Sequence, residues 1–384
     1  MTPAARIQAA IEILDRIASG AAAEQALLGW SRGARYAGSK DRAAVRDHVF
    51  DVLRRWRSTA AQGGADTGRG RMLGLLRQSG IDPDSLFTGE GHAPEPLSDA
   101  EHAAGRTPEG AEALDLPDWL ADVWTQSLGD AAEPSALALR QRAPVYLRVN
   151  TAKLSVPEAQ ALLAAEGIES VAHPLAQTAL EVTGGARGVA RSKAYLDGLV
   201  ELQDVASQAI ALALPLEPGS RVLDYCAGGG GKALAMAAHS GGAVDAHDAD
   251  PARMKDLPAR AQRAGAQIRV VAKPQGRYDV VLCDVPCSGA GAWRRAPEGK
   301  WRLTAERLRE LTDIQSDILQ RAAPLVAAGG TLAYATCSML DPENTDRIAQ
   351  FTADMPGWEV TFQRQFLPSD GGDGFFLTCL TAPA

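Results

Sequence analysis

Over the first 58 residues, apolar side chains recur every three or four positions, and arginines occupy many of the positions between them. The recurring apolar residues are Ile7, Ile11, Leu14, Ile17, Val45, Val49, Val52, Leu53 and Trp56. This spacing places them on one face of each helix, where they can pack together. Heptads and longer repeats are absent, which argues against a coiled coil or a solenoid. The pattern therefore predicts a small helical domain.

Residues 59–140 lose this regular pattern and are acidic, with 14 Asp and Glu against 5 Lys and Arg. The stretches QGGADTGRG and TGEGHAPEPLSDAEHAAG are rich in Gly, Pro and small polar residues, which are typical of loops. We interpret residues 59–115 as an acidic, loop-rich insertion within a helical domain that spans residues 1–140. A solvated, variable connector is the simplest role for this insertion.

From about Ala143 onward, short β-like runs such as VYLRVN and ALEV alternate with helical stretches, which predicts a small α+β subdomain over residues 141–204. Over residues 205–384, strands and helices alternate regularly. The predicted strands are RVLDYC, AVDAHDAD, IRVVA, YDVVLCDVP and TLAYATCS. This order is typical of an α/β fold, in which helices cover both faces of a mostly parallel sheet. Ligands of such folds bind beyond the carboxyl ends of the strands.

The composition, 46% hydrophobic and 22% charged, excludes disordered and fibrous proteins. The sequence has neither an apolar stretch long enough to span a membrane nor a signal-peptide core, which predicts a soluble, cytoplasmic protein. Its five cysteines argue against a disulfide framework, because they are few for a chain of this length and their number is odd. The net charge of -8 argues against a nucleic-acid partner, but residues 1–58 hold 10 Lys and Arg against 6 Asp and Glu. A basic cluster there could meet a phosphate backbone or be an ordinary solvated helix face; it contains Arg32, Arg35, Lys40, Arg42 and Arg46.

The first motif that carries chemistry is VLDYCAGGGGK, from Val222 to Lys232, where a predicted strand ends and a helix begins. Glycines let a ligand approach the backbone, and a helix N-terminus offers N–H groups to an anion. The motif alone is not specific, because it matches neither G-x-G-x-x-G nor the P-loop spacing. The next predicted strand supplies Asp248, at the position where a carboxylate can hold two ribose hydroxyls. Together the two features predict a site for a nucleoside cofactor.

Two cysteines, Cys287 in DVPCSG and Cys337 in YATCS, follow two further predicted strands and should converge at the same edge of the sheet. A metal site would need more Cys or His ligands at zinc-like spacing, and none lie nearby in the sequence. A redox pair would more often be C-x-x-C, whereas Cys283 and Cys287 form C-x-x-x-C. The interpretation that both are structural cysteines packed in the core stays open, because Cys is often buried. The polar, turn-forming neighbours of both cysteines favour a chemical role.

With these motifs the sequence resembles the RsmB/Fmu group (NOL1/NOP2/Sun) of RNA 5-methylcytosine methyltransferases, which use S-adenosylmethionine. The resemblance covers roughly Pro144 to the C-terminus. It rests on DYCAGGGGK, the D-x-x-x-x-R spacing of Asp248 and Arg253, DVPCSG with RR and KWR downstream, TCS followed by PEN, and DGFF. The N-terminal RAAVRDHVFDVLRRW is similar to the NusB-like RNA-binding domain of the RsmB branch. The resemblance implies a Rossmann-like class I methyltransferase domain over residues 205–384, after an RRM-like subdomain and a NusB-like domain.

The resemblance also implies a role for each residue at the site. Carbon 5 of cytosine is a poor nucleophile until a thiolate adds to carbon 6. Cys337 would be that thiolate, and Cys287 would assist removal of the carbon 5 proton and release of the product. Asp284 would hydrogen-bond the base edge, and Lys232 would lie near the cofactor carboxylate and favour a thiolate. The implied cofactor contacts are Cys226, Ala227, Gly228, Gly229, Gly230, Gly231, Lys232, Asp248 and Asp284.

The sequence departs from the family pattern at two places. The usual C-A-A-P-G-G-K is C-A-G-G-G-G-K here, with Gly228 and Gly229 in place of alanine and proline, which predicts a more flexible loop. The strand that usually ends in an adenine-contacting aspartate is followed here by Lys273 and Pro274. That contact is therefore not predicted for this chain.

The substrate that the resemblance implies is RNA with an unstacked cytosine, because carbon 6 cannot be attacked inside a helix. Cations mixed with tryptophans follow the DVPCSG motif and suit phosphates and exposed bases, although a surface loop with buried tryptophans is the plainer interpretation. The predicted RNA contacts are Arg294, Arg295, Lys300 and Arg302, with Arg32, Arg35, Arg42 and Arg46 as secondary candidates.

The leading hypothesis is cytosine-5 methylation of 16S ribosomal RNA, alone or in an assembling small subunit, by a monomer that needs no metal. Transfer RNA is the alternative substrate. An RNA-binding assembly factor that methylates weakly is the alternative class of protein, because of the altered glycine loop. A dinucleotide-dependent oxidoreductase would share the parallel sheet but has no use for two cysteines beside Asp284.

Overall fold

In the computed structural model, which describes residues 1–384, the chain divides into two compact units. The first unit contains residues 1–125, 129–142 and 293–302. The second contains residues 126–128, 143–292 and 303–384. None of the helices combines the length and the apolar composition that a membrane span requires.

The first unit is helical. Its helices are α1 (Pro3–Ala18), α2 (Ala23–Gly33), α3 (Ser39–Arg54), α4 (Trp56–Gly63), α5 (Gly68–Gln78), α6 (Asp99–Ala103), α7 (Gly110–Ala113), α8 (Asp118–Leu128), α9 (Ala132–Ala138) and, later in the chain, α15 (Glu298–Arg302). Their apolar faces form one core, which includes Ile7, Ile11 and Leu14 of α1 and Val45, Val49 and Val52 of α3. The helical periodicity at the start of the sequence thus correctly predicted which helix faces are buried.

The prediction of a loop-rich insertion is wrong for residues 59–78, most of which belong to α4 and α5. Met72, Leu75 and Leu76 of α5 are buried in the core of the first unit. Glycines that suggested a loop instead allow close helix packing, because a Cβ at Gly63 of α4 would lie 1.7 Å from the carbonyl oxygen of Gly70 of α5. Between Gln78 and Asp118 the structure is mostly irregular, with the short helices α6 and α7 and a 3-10 turn at Pro83–Ser85.

The segment 293–302 was predicted to belong to the catalytic domain, but its contacts place it in the helical unit. Trp293 is 2% exposed and stacks on Trp124, with ring centroids 6.1 Å apart and an angle of 15° between the planes. The indole N–H of Trp124 donates to the carbonyl of Ala132 at 2.8 Å. A sequence that lies between two elements of the α/β fold thus completes the core of the helical unit.

We expect Trp293→Ala to destabilise the protein by about 3–5 kcal/mol, because truncation of a buried tryptophan leaves a cavity beside Trp124. Urea unfolding followed by tryptophan fluorescence measures the change. Arg302→Ala, in the same segment but at a side chain that is 56% exposed, is the control and should change stability by less than about 1 kcal/mol. Equal stabilities of the two variants would contradict the assignment of Trp293 to the core.

The second unit begins with a four-stranded antiparallel sheet of order β2-β3-β1-β4. Its strands are β1 (Val145–Val149), β2 (Glu169–Ala172), β3 (Ala179–Gly184) and β4 (Val200–Leu202), with helices α10 (Val156–Ala165) and α11 (Lys193–Leu196). Helix α10 begins with a capping box, in which Ser155 and Glu158 bond each other's backbone N–H groups. The predicted boundary between an α+β subdomain and a catalytic domain at residue 204 stays a prediction, since both lie in this unit.

The remainder of the second unit is a seven-stranded sheet of order β10-β11-β9-β8-β5-β6-β7. Its strands are β5 (Val222–Asp224), β6 (Val244–Ala246), β7 (Ile268–Val270), β8 (Tyr278–Asp284), β9 (Val326–Thr336), β10 (Glu359–Phe366) and β11 (Phe375–Thr381). The five strands from β9 to β7 in this order are parallel, and β11 and β10 extend the sheet antiparallel at one edge. The predicted mostly parallel sheet is confirmed.

Helices cover both faces of this sheet. They are α12 (Val205–Ala213), α13 (Gly231–Ser240), α14 (Leu257–Ala264), α16 (Ala305–Ala322) and α17 (Thr345–Asp354). Successive strand residues point to opposite faces, so Val222 packs in the core with α12, α13 and α14, whereas Leu223 packs in the core with α16 and α17. Strands buried on both faces are near-continuous apolar runs, which explains why the sequence predicted them correctly.

Candidate active site

The strand order reverses at β5, because the chain continues from β5 to β6 and β7 on one side and later adds β8 and β9 on the other. Such a switch point opens a crevice beyond the carboxyl ends of the two central strands. Asp224 ends β5 and Asp284 ends β8. The sheet topology therefore brings the first two predicted motifs to one edge, and β9 adds the third beside them.

The glycine loop after β5 needs glycine at two positions. Gly228 and Gly230 have φ angles of +50° and +78°, which side-chain-bearing residues rarely adopt. A Cβ at Gly230 would also lie 2.1 Å from a methyl carbon of Leu257. The loop is held by Asp248, whose carboxylate accepts the N–H of Gly228 at 2.8 Å, and by Arg260, which donates to the carbonyl of Gly229. The predicted flexibility of the loop is thus opposed by side chains that fasten its backbone.

Lys232 and Asp284 form a close ion pair, with Nζ 2.7 Å from Oδ2. Lys232 lies in the first turn of helix α13 and is 8% exposed, whereas the side chain of Asp284 is 31% exposed at the end of β8. Burial alone would lower the pKa of Lys232, but the charge and hydrogen bond of Asp284, together with the charge of Cys337, raise it. Lys232 is therefore a permanent cation between the acidic strand end and the cysteine of the third motif.

Cys287 and Cys337 converge as the sequence predicted, with their sulfur atoms 3.3 Å apart. Their loops are joined by backbone hydrogen bonds, since Val285 N–H donates to Ala335 and Gly291 N–H donates to Cys337. The hydrogen bond with Cys337, with help from burial, raises the pKa of the Cys287 thiol well above its usual range. Cys287 therefore keeps its proton and can donate its S–H to the sulfur of Cys337.

The other three cysteines differ from this pair. Cys283 and Cys379 are buried on strands β8 and β11, and burial raises the pKa of both thiols. Burial also raises the pKa of Cys226 in the glycine loop. Raised pKa values keep these three thiols protonated and inert. Nowhere in residues 1–384 do three or more His, Cys, Asp or Glu side chains form a group that could hold a metal ion.

Asp224 was not predicted as a site residue, although its place at a strand end before the glycine loop was a usable signal. Its carboxyl group is buried and has no well-aligned hydrogen-bond partner. Burial and the charge of Asp284 raise its pKa to about 7, against the opposing effect of Lys232. A buried, unpartnered carboxyl group beside a glycine loop is suited to a ligand that brings a positive charge or N–H donors.

We expect Asp224→Asn to be more stable than the wild type at pH 8. The pKa of this carboxyl is near its usual value of 3.8 in the unfolded chain and about 7 in the folded protein. Between these values only the folded protein keeps the proton, so wild-type stability falls as the pH rises from about 4 to about 7, and asparagine avoids this loss. The gain is on the order of a few kcal/mol. Urea unfolding at pH 4.5, 6 and 8 measures it, and a difference that does not grow with pH would contradict the assignment.

Comparisons with known proteins decide the family. Residues 211–381 match the sequence profile described as 16S rRNA methyltransferase RsmB/F, and residues 116–187 match that of an RsmF/B-like ferredoxin-like domain. The ribosomal RNA small subunit methyltransferase B of Vibrio vulnificus is 31% identical over 285 residues, which are 70% of this chain and 67% of that protein. The chain belongs to the RsmB/F family. The resemblance inferred from the motifs is confirmed.

Other RsmB/F relatives extend beyond the matched region. The ribosomal RNA small subunit methyltransferase B of Klebsiella pneumoniae is 34% identical over 283 residues, which are 69% of this chain and 65% of that protein. The chain thus spans less than two thirds of the length of several curated relatives that it matches. The crystal structure of PH0851 has the same fold, with a TM-score of 0.75, 22% identity and 99% of each chain covered. The likeness of residues 1–140 to a NusB-like domain stays a prediction.

In this member of the RsmB/F family, the predicted RNA contacts fall into two groups. Arg32, Arg35, Arg42 and Arg46 are exposed in the helical unit, and Arg295 and Arg302 are exposed in the segment 293–302. Arg46 is paired with Glu24, and Arg302 with Glu298. Contact of these exposed arginines with RNA stays a prediction.

The same prediction is wrong for Lys300 and Arg294, because both side chains are buried within the helical unit. Lys300 Nζ lies 3.4 Å from the carbonyl oxygen of Arg54 and 4.7 Å from the ring centroid of Trp301. Burial lowers its pKa to about 8. The segment folds into a helical core instead of lying on a surface, so these two cations do not reach solvent.

Proposed function

We propose that this RsmB/F protein transfers a methyl group from S-adenosylmethionine to carbon 5 of a cytosine in RNA, with small-subunit ribosomal RNA as the substrate. The pair of cysteine sulfurs 3.3 Å apart, at the strand ends beside the Lys232–Asp284 ion pair, carries the proposal. Neither a dinucleotide oxidoreductase nor a simple RNA-binding protein has a use for that arrangement. The names of the curated relatives supply the class of substrate.

The residues at the switch point suit S-adenosylmethionine. The cofactor carries a sulfonium and an ammonium, and the buried, unpartnered carboxyl group of Asp224 fits a ligand that brings positive charge. Asp248 lies at the end of the next strand, where a carboxylate can accept ribose hydroxyls, although it already holds the glycine loop. Asp224, Asp248 and the backbone of residues 226–231 would hold the cofactor. When bound, it supplies an electrophilic methyl group.

The cysteine pair supports a covalent route through the base. The Cys337 thiolate adds to carbon 6, so that a sulfur–carbon bond forms and the electron pair moves toward carbon 5, which then takes the methyl group. The new sp³ carbon 5 carries a proton that must leave. Cys287 gives its proton to the departing Cys337 sulfur and accepts the carbon 5 proton, so that the carbon–sulfur bond breaks and aromaticity returns. Both thiols end protonated, and the next cycle begins with loss of the Cys337 proton.

The Lys232–Asp284 pair supports the charged stages of this route. The cation of Lys232 stabilises a thiolate at Cys337, since the two groups already interact electrostatically. Asp284 is partly exposed at the end of β8, where its free oxygen can accept a hydrogen bond from N3, which takes a proton from water as the ring is attacked and returns it to water when aromaticity is restored. The target cytosine must be unstacked to reach both groups, which favours a loop or a flipped base in the RNA. The exposed arginines of the helical unit would bind phosphates of the RNA.

Two measurements test the proposal. Calorimetry should show binding of S-adenosylmethionine, weakened in the Asp248→Ala variant, and no binding of NADH. Labelled methyl should then pass from S-adenosylmethionine to ribosomal RNA that lacks its own modification, in the free state or as an assembling small subunit. Transfer to transfer RNA instead would change the proposed substrate. Tight RNA binding without any transfer would leave an assembly factor, and NADH binding would favour an oxidoreductase.

A further inference from the structure

One buried carboxylate, Glu343, lies beneath both cysteine loops and has no role in the route above. It is the last residue of the short turn Asp341–Glu343. It lies five residues after Ser338, in the loop that follows β9 and contains Cys337. Its exposed fraction is 0%. A fully buried carboxylate is costly unless hydrogen bonds satisfy it, so its donors show what it holds in place.

Glu343 accepts four hydrogen bonds, two on each oxygen. Oε1 accepts from the backbone N–H of Ser288 at 2.7 Å and from the side-chain amide of Gln315 at 3.1 Å. Oε2 accepts from the hydroxyl of Ser288 at 2.5 Å and from the hydroxyl of Ser338 at 2.5 Å. Four donors and two oxygens match the acceptor capacity of an ionised carboxylate, and hydrogen bonds to a charged acceptor are short and strong.

The donors come from the residues next to the two cysteines. Ser288 directly follows Cys287, and Ser338 directly follows Cys337. The two hydroxyl oxygens lie 3.3 Å apart, the same separation as the two sulfurs. Gln315 of helix α16 adds a third support, because its amide also donates to the carbonyl of Pro286 at 2.9 Å. One carboxylate therefore joins two loops that are 50 residues apart in the sequence.

We propose that Glu343 is a positioning residue that clamps the loops of Cys287 and Cys337 together and holds the two sulfurs at the distance that proton exchange between them requires. Its effect on turnover rests on the proposed function, whereas the clamp itself does not. A backbone scaffold alone could place both loops near one another. The shared carboxylate fixes their relative register, because a shift of either loop breaks bonds that the other loop also uses.

The charge of Glu343 adds a second effect on the pair. In addition to the hydrogen bond with Cys337 and burial, the charge of Glu343 helps to raise the pKa of the Cys287 thiol. The clamp thus also favours the state in which Cys287 holds the proton.

Disulfide trapping measures how closely the clamp holds the two cysteines, and it does not require catalytic activity. Diamide oxidises two neighbouring thiols, each of which loses its hydrogen as the sulfur–sulfur bond forms, and is itself reduced to the hydrazine. We expect diamide to link Cys287 and Cys337 rapidly in the wild type, as seen by mass spectrometry of the joined peptides. The Glu343→Gln variant should form this link about tenfold more slowly, because an amide NH₂, which is a donor, replaces one of the two oxygens and then faces two of the four donors.

Steady-state kinetics separates positioning from binding. Glu343→Gln should lower kcat by about 10- to 100-fold and leave the KM values for cofactor and RNA within about threefold, since the clamp touches neither ligand. Glu310→Gln makes the same change of charge at an exposed side chain of α16 and should match the wild type in both assays. Ser288→Ala and Ser338→Ala remove single donors and should each show a smaller part of both effects.

A folded Glu343→Gln protein that traps the disulfide and turns over like the wild type would overturn the clamp. If Glu343→Gln does not fold, the Ser288→Ala and Ser338→Ala variants test the clamp instead. Disulfide formation at the wild-type rate in both serine variants would also overturn the clamp. Slower trapping in a protein that transfers no methyl group would support the clamp and refute the proposed function instead.

Discussion

Substitution of Cys337 by alanine is expected to lower the rate of methyl transfer by at least about 10³-fold. Without its sulfur, nothing adds to carbon 6, and carbon 5 stays too weak a nucleophile to take the methyl group. Affinity for S-adenosylmethionine should change little, because the orphaned carboxyl group of Asp224 and the glycine loop are untouched. Transfer of labelled methyl to ribosomal RNA, with cofactor binding measured on the same samples, gives both numbers.

The matched control for this variant is Cys379→Ala, which removes a buried thiol from strand β11 of the same sheet. It should keep the wild-type rate of methyl transfer, with a modest loss of stability at most. A Cys337→Ala protein that still methylates within tenfold of the wild type would show that the sulfur is not the nucleophile. The close pair would then have a structural role only.

Substitution of Cys287 by alanine is expected to give a different and equally large defect. The first addition and the methyl transfer need only Cys337, so the variant should form the covalent bond to RNA and then fail to break it. Multiple turnover should fall by about 10²- to 10³-fold, in the range of a lost general acid or base. A protein–RNA band that survives denaturation, dependent on S-adenosylmethionine, should accumulate in this variant.

The double variant Cys287→Ala with Cys337→Ala tests the order of these two roles. It should form no stable band, because the bond that Cys287 normally helps to break is never made. A stable band in the double variant would show that a different group of the protein attacks the RNA. Absence of the band in the single Cys287→Ala variant would exchange the roles of the two cysteines or remove the second one.

The sequence predicted the parallel sheet and the convergence of Cys287, Cys337 and Asp284, because buried strands are continuous apolar runs and their carboxyl ends share an edge. It did not predict helices α4 and α5, since glycines that pack two helices closely look the same in sequence as glycines in loops. The prediction that Lys300 contacts RNA was wrong for a related reason. A cation near an active-site motif suggests RNA contact, and only the tertiary structure shows that its segment completes another core.

Asp224 and Glu343 show a different limit. Both are acidic residues within recognised motifs, yet their importance depends on burial and on the donors around them, which the sequence does not specify. Asp224 has no aligned donor and a pKa raised to about 7, whereas Glu343 has four donors. Two buried carboxyl groups thus suit different tasks. Asp224 suits the binding of a positively charged ligand, and Glu343 holds two loops of the site together.

Mass spectrometry of nucleosides from methylated RNA tests the proposed reaction most directly. Ribosomal RNA that lacks its own modification is incubated with the protein and S-adenosylmethionine, digested to nucleosides and compared with a reaction of the Cys337→Ala variant. We expect 5-methylcytidine in the wild-type reaction and none in the variant reaction. A methyl group found on another base, on a ribose oxygen, or on cytosine in both reactions would contradict covalent catalysis by the cysteine pair.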